Sequence, residues 1–317
     1  MNMMHANCNR LNQHIDNRLI NTCFTLNNRY SCMLSNQNYL HKIRPLLVSA
    51  HAPTIEGALS LFSLHQHTIN LINTHQQLIT LHRYASGISP MGWVLKSEDF
   101  DYIKSVLLNN EFKIDQLLNG DLVCGDILIM NHTHQCHLQI KRYEKLSFNK
   151  QSIVQLLQQV DYPTGLFGNL KDNIIDKSAP QLDLLCDKIK QLMDGQVVDI
   201  TPFIGLGPGL TPSMDDILVG LLAIISSDVR FVGKLSQLKH GLSALSFNSL
   251  TTLISASFLN YALEGKFSLL VLQMVKALNQ NRLDHSSIDK LLNYGHTSGA
   301  DLLLGMWLGI DRFILEG

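Results

Sequence analysis

Between residues 46 and 148 short apolar runs alternate with turn residues, the texture of strands. The stretch 67–83 predicts two strands about a turn near 73–75, with Ile69, Leu71, Leu78, Ile79 and Leu81 as the apolar positions, and Gly87, Ser89 and Pro90 then break the pattern. LVCGDILIM (122–130) and CHLQI (136–140) predict a second hairpin, while Tyr102, Ile103, Val106 and Leu107 give 99–118 helical spacing. From 149 onward the helical period takes over. Ile153, Leu156, Leu157 and Val160 form one stripe, and Leu182, Leu184, Leu185, Ile189 and Leu192 form another. Segments 250–263 and 269–278 carry almost no charge, as helices shielded inside a bundle do. The pattern predicts an α+β protein, with a β-rich N-terminal domain at 46–148 and a mostly helical C-terminal domain at 149–317. Residues 1–45, rich in Asn and without a sustained period, read as a polar extension and a candidate for disorder.

Composition narrows the function. With 45% apolar and 16% charged residues among 317, a sizeable core is expected. Lys and Arg number 25 against 26 Asp and Glu, which argues against a strongly basic nucleic-acid binder but not against a small anionic substrate. The six cysteines (Cys8, Cys23, Cys32, Cys124, Cys136, Cys186) are scattered and form no CxxC pair, so reduced thiols are expected. The polar first residues lack a signal-peptide core, and the longest clean apolar run, 217–225, is far short of the ~20 residues of a membrane span. A cytoplasmic protein is the expectation.

The richest chemistry lies in two glycine-flanked helix starts. The first is Gly205-Leu-Gly207-Pro-Gly209-Leu-Thr211-Pro-Ser213-Met-Asp215-Asp216, followed by ILVGLLAII. The second is Gly295-His296-Thr297-Ser298-Gly-Ala-Asp301, followed by LLLGMWLGI. Ser213 with Asp216, and Ser298 with Asp301, have capping-box spacing. Placing Ser213 on Ser298 also matches Asp216 with Asp301, Leu218 with Leu303, Gly220 with Gly305 and Ile225 with Ile310, a short internal repeat. Each start offers free backbone N–H groups and a partial positive charge, suited to phosphate or carboxylate. The two starts are expected to meet at one pocket. Gly205, Gly207, Gly209, Thr211, Ser213, Thr297 and Ser298 would bind the anion there, and Gly220 and Gly305 would let the helices approach closely.

Asp215, Asp216, His296 and Asp301 are the candidate catalytic groups, and Asp215 with Asp216 a candidate Mg²⁺ site. A plainer alternative has the aspartates only capping helices and the glycines only making a turn. Thr252 and Ser255 share a helical face and either bond back to their own helix or face the pocket. Ser86, Gly87, Ser89 and Pro90 form either a loop from the first domain that covers the pocket or simply a turn. His132, His134, Cys136 and His137 resemble a metal-ligand set, but 131–135 falls where the predicted hairpin turns, so a surface hairpin is expected there rather than a metal site, and His65, His67, His75 and His82 are expected on exposed polar faces. No dinucleotide GxGxxG, Walker A loop or GxSxG elbow occurs.

GLGPGLTPSMDDILVGLLA, TTLISASFLNYALEG (251–265), GHTSGADLLLGMWLGI and the start HTINLINTHQQLITLHRYASGISPMGWVL together resemble a family of unknown function that includes the AllH-type subunit of oxamate carbamoyltransferase. The resemblance covers roughly residues 45–317. It implies interconversion of oxalurate plus phosphate with oxamate plus carbamoyl phosphate, in anaerobic allantoin or purine breakdown. It also implies partner subunits, one of them resembling acyl-CoA synthetases. Where that family has Gly after the loop Ser, this chain has Met214, whose side chain would either narrow the anion site or alter the turn. The STRTR-type phosphate motif of the ornithine and aspartate carbamoyltransferases is absent. The alternatives are a non-catalytic subunit that binds a small carboxylate or phosphate, and a metal-dependent hydrolase built on Asp215, Asp216 and Asp301.

Overall fold

The computed structural model describes residues 41–315, apart from 110–112, 132–133, 145, 147, 176–178, 281 and 294. Most of the expected polar extension, with Cys8, Cys23 and Cys32, and also His132, lie outside the described residues.

Ten short strands form one sheet among the described residues: β1 (His41–Ile43), β2 (Leu47–Ser49), β3 (Gly57–Leu64), β4 (Thr68–Asn73), β5 (Leu78–Arg83), β6 (Gly92–Leu95), β7 (Ile114–Gln116), β8 (Leu122–Cys124), β9 (Ile127–Ile129) and β10 (Gln135–Cys136). Their order is β1-β9-β8-β7-β3-β4-β5-β6-β2-β10. Only residues 44–46 separate β1 from β2, yet the two stand eight strand positions apart. A flat sheet would put roughly 38 Å between them at ~4.8 Å per strand. Four extended residues reach at most ~14 Å. The sheet must therefore curl until its ends approach, giving a half-barrel. Alternate positions point inward: Ile69 and Leu71, Ile79 and Leu81, Trp93 and Leu95, Ile127 and Ile129. Helix α1 (Ser97–Asn109) plugs this interior with Phe100 and Ile103.

The hairpin at 67–83 forms as expected. Its turn is held by Asn73 Oδ1, which accepts from the His75 and Gln77 amides at 2.9 Å each, with Gln76 at positive φ. Two expectations are corrected. Helical spacing over 99–118 yields a helix only to Asn109, because Ile114–Gln116 is captured as a strand between β3 and β8. The second hairpin lies wholly within 122–129, closed by the two-residue turn Gly125-Asp126. Gln135–Cys136 does not pair with it but runs parallel to β2 at the far end of the sheet.

The second half is helical: α2 (Lys150–Leu157), α3 (Leu170–Ile175), α4 (Pro180–Met193), α5 (Ser213–Ser226), α6 (Val232–Ser243), α7 (Phe247–Leu250), α8 (Leu253–Leu263), α9 (Leu269–Asn279), α10 (His285–Leu292) and α11 (Ser298–Gly309). On α4 the buried stripe is Leu182, Leu185, Ile189 and Leu192, and Leu184 is exposed, being two residues off that face. The two charge-poor segments form α8 and α9, but the most fully buried helices are α5, along its whole length, and α11, from Gly299 onward.

Candidate functional site

Helices α5 and α11 begin together and run side by side in the same direction. The Thr211 and Ser298 hydroxyls are 2.7 Å apart at their starts. Further along, the contacts are reciprocal. A Cβ on Gly220 would stand 2.2 Å from the Leu302 carbonyl oxygen, and one on Gly305 2.0 Å from that of Ile217. Those four positions are equivalent in the internal repeat. The expected capping boxes do not form: the N-cap positions are Pro212 and Thr297, and neither gives a side-chain cap. The aspartates cross over instead, Asp216 standing beside Ser298 and Asp301 beside Ser213. With the helices this close, each carboxyl finds a polar partner on the neighbouring helix rather than on its own first turn.

Both carboxyls are buried. Burial lifts the Asp216 pKa well above the usual carboxylate range; Asp301 and Asp215 add to this, and the Ser298 and Thr211 hydroxyls oppose it. Its Oδ2 has no hydrogen-bond partner. Burial pushes Asp301 up to about 6 against the Gly165 N–H, which donates to both its oxygens at 3.2 Å, and the Ser213 and Thr297 hydroxyls.

Asp215 is a structural hub. Its Oδ1 accepts from the Gly205 N–H at 2.8 Å, and its Oδ2 from the hydroxyls of Thr251 at 2.5 Å and Ser255 at 2.7 Å. The carboxylate thus fastens the glycine loop and the start of α8 to α5. Gly205, at φ +76°, is required because a Cβ would lie 2.2 Å from the Leu250 carbonyl oxygen. Thr252 caps α8, accepting from the Ser255 N–H, and bonds to the Leu210 carbonyl. Met214 packs in the helical core. Among the described residues, no group of three or more His, Cys, Asp or Glu side chains comes together as a metal cluster.

A cavity of about 850 Å³ lies between the half-barrel and the helices. The helix starts contribute Thr211, Asp216, Gly295 and Ser298 to its wall. Opposite stand Asn70 and Thr80 with His82, on the outer face of β4 and β5. Ser86 and Ser89 of the following loop also line it, and Lys266 and Lys290 supply positive charge. Lys266 also pairs with Glu264 at 2.5 Å.

Of the candidate residues, Thr211, Asp216 and Ser298 line the cavity. Gly205, Gly207, Gly209, Ser213, Asp215, Thr252, Ser255, Thr297 and Asp301 are not among its lining residues: Ser213, Asp215, Ser255 and Asp301 are buried, Gly209 is exposed, and His296 is exposed, its carbonyl accepting from the Tyr162 hydroxyl. His82 corrects the exposed-face expectation: it is 2% exposed, because the helical half covers this part of the sheet. His134 and His137 are exposed, while Cys136 takes its strand place beside β2. Asn70, Thr80, Lys266 and Lys290 escape sequence reasoning. For Asn70 and Thr80 the only signal is the run of polar alternate positions Thr68 and Asn70 on β4 and Thr80 and His82 on β5, which is equally the signature of a solvent face.

No helix among the described residues is long and apolar enough to cross a membrane. No solved structure matches the chain. A family model described as oxamate carbamoyltransferase subunit AllH matches residues 203–310, the stretch that holds both helix starts. A second, described as the AllH family N-terminal domain, matches 45–153, the half-barrel. With the two regions that enclose the cavity matched in one family across most of its length, the chain belongs to the AllH family.

Proposed function

We propose that the cavity is the substrate site of an oxamate carbamoyltransferase subunit, and that Asp216 acts there as a proton donor. The observation that carries this is a buried carboxyl, its pKa raised and its Oδ2 unpartnered, on the wall of a cavity that also holds two lysines. In phosphorolysis of oxalurate a phosphate oxygen attacks the carbamoyl carbon. The bond from that carbon to the oxamate nitrogen breaks, and the nitrogen takes a proton. A carboxyl kept neutral by burial can deliver that proton, and an ionised one cannot. Lys266 and Lys290 hold phosphate and the substrate carboxylate, with the Thr211 and Ser298 hydroxyls as further donors. The buried candidate residues outside the lining position these groups. Other subunits complete the transferase, one of them resembling acyl-CoA synthetases, and the process served is anaerobic allantoin or purine breakdown in the cytoplasm.

The test is phosphate-dependent release of oxamate from oxalurate by the chain with its partner subunits. Asp216→Asn keeps the shape and removes the acidic proton. It is expected to lower kcat by about 10²-fold with KM changed only a few-fold. Full activity in that variant overturns the acid role. A folded wild-type chain that neither supports turnover nor is stabilised by phosphate, carbamoyl phosphate, oxamate or oxalurate overturns the site.

A further inference from the structure

The cavity is larger than the reacting atoms require. Oxalurate and phosphate together have about 14 non-hydrogen atoms, which at about 30 Å³ each, the share of a water molecule, fill about half of its 850 Å³. Much of the remaining wall is hydrocarbon. Met91 just before β6, Val219 of α5, Ile254 and Phe258 of α8, and Phe267 and Leu270 around the start of α9 line it. Met91 and Ile254 are buried in one cluster with Phe258 packed against it, so these three form a continuous surface. This surface adjoins the polar one. Asp216 and Val219 both line the cavity from α5, three residues and so ~4.5 Å of helix rise apart. Helix α8 packs on α5 and presents Ile254 and Phe258 from one face. Oxalurate gains nothing from hydrocarbon, because its polar groups would lose hydrogen bonds to water there without replacement.

We propose that this apolar surface is a subsite for the hydrocarbon group of a ureido acid, so that the cavity binds N-carbamoyl derivatives of apolar α-amino acids as well as oxalurate. This rests on the cavity being the substrate site, and it widens the class of ligand that the site takes. Such compounds share the reactive end of oxalurate: a carbamoyl group on a nitrogen, and a carboxylate on the carbon next to that nitrogen. They differ at that carbon, which carries an oxygen in oxalurate and a hydrocarbon side chain in the amino-acid derivative. The proton transfer puts the nitrogen at Asp216. The carbon is one bond, ~1.5 Å, from the nitrogen, so its side chain starts beside Asp216 and has Val219 one helical turn away. From Val219 the α8 pair and Met91 continue the surface. The occupant is a group on the ligand itself because the apolar surface is continuous with the wall that holds the reacting nitrogen.

Calorimetric titration of the full chain in phosphate buffer, with oxalurate, N-carbamoylglycine and N-carbamoyl-L-leucine as probes, tests it. The leucine derivative is expected to bind at least about tenfold more tightly than the glycine one, as burial of a leucine side chain provides, and to be displaced by oxalurate. Phe258→Gln, which keeps bulk and sets an amide in the apolar surface, is expected to bring that ratio within about threefold. A leucine derivative that binds no more tightly than the glycine one, that oxalurate bound to the chain does not displace, or that keeps its full advantage in a folded Phe258→Gln overturns the subsite and leaves the cavity reading standing. Binding of none of the three probes overturns the cavity reading itself, and the subsite falls with it. Tight binding of the leucine derivative without any of oxalurate upholds the subsite and overturns oxalurate as the substrate. Should Phe258→Gln not fold, wild type decides with the N-carbamoyl derivatives of glycine, alanine and norvaline. Affinity that rises about fourfold per added CH₂ supports the subsite, and a flat series overturns it.

Discussion

Asp301 shows how one buried carboxyl ties the helix starts to pH. Its pKa rises from 3.8 to about 6 on folding. The native state therefore keeps the proton at pH values where the unfolded chain has lost it, so its contribution to stability falls as pH rises between about 4 and 6 and is level above. That rise corresponds to about 3 kcal/mol. Asp301→Asn removes the titration and leaves an oxygen for the Gly165 N–H. Wild-type stability minus that of the variant is expected to fall by up to about 3 kcal/mol between pH 4 and pH 7, measured by urea unfolding at several pH values. A flat difference would show that the carboxyl does not titrate in this range. Asp301 and Asp216 were legible in the sequence because each follows a Ser by three residues at a glycine-flanked start. That spacing also suggested capping, and only the closeness of the second helix redirects the carboxyls to it. His82 was not legible, since alternation along a strand names the polar face without saying what lies against it.

At the scale of elements, α5 and α11 depend on two missing side chains. A Cβ at Gly220 or Gly305 meets the other helix's backbone at 2.2 or 2.0 Å, and backbone within a helix cannot swing aside as a side chain can. Gly220→Ala and Gly305→Ala are each expected to cost about 3 kcal/mol, because the pair must separate and lose packing along its length. Gly233→Ala in α6, where a Cβ meets nothing within 4 Å, is the control and should stay within about 0.5 kcal/mol of wild type. Equal effects in all three would mean that the close approach is not needed. The helical elements were largely readable because their apolar period is long and sustained. The strands that misled are three residues or fewer. Ile114–Gln116 and Gln135–Cys136 owe their form to partners distant in sequence, and no local pattern announces such a partner.

Over the whole molecule, the two halves are sewn together beside the cavity. Past β10 the chain crosses to the helices, where Phe267 N–H donates to the Leu138 carbonyl at 3.0 Å and Ile140 N–H to that of Gly265 at 2.8 Å. Leu269 N–H reaches the Ile88 carbonyl at 3.0 Å, and the Tyr261 hydroxyl the His51 carbonyl at 2.9 Å. Ile88, Val94 and Leu138 pack with Leu269 and Leu272, so an apolar cluster spans the same seam. Halves joined in this way should unfold as one unit although the family models treat them as two regions. The chain's two tryptophans allow the test: Trp93 is buried in the half-barrel and Trp307 lies on α11. In Trp307→Phe, fluorescence reports the half-barrel alone, while circular dichroism at 222 nm reports mainly the helices. The two urea transitions are expected to coincide. A ligand held between the halves stabilises only the joined state, so at 100 times its Kd it should raise the common midpoint by about 2.7 kcal/mol of stability and keep the curves superimposed. If the fluorescence transition comes first, the half-barrel opens alone and the seam does not couple the halves. If ligand moves one curve and not the other, its contacts lie within one half and not across the cavity.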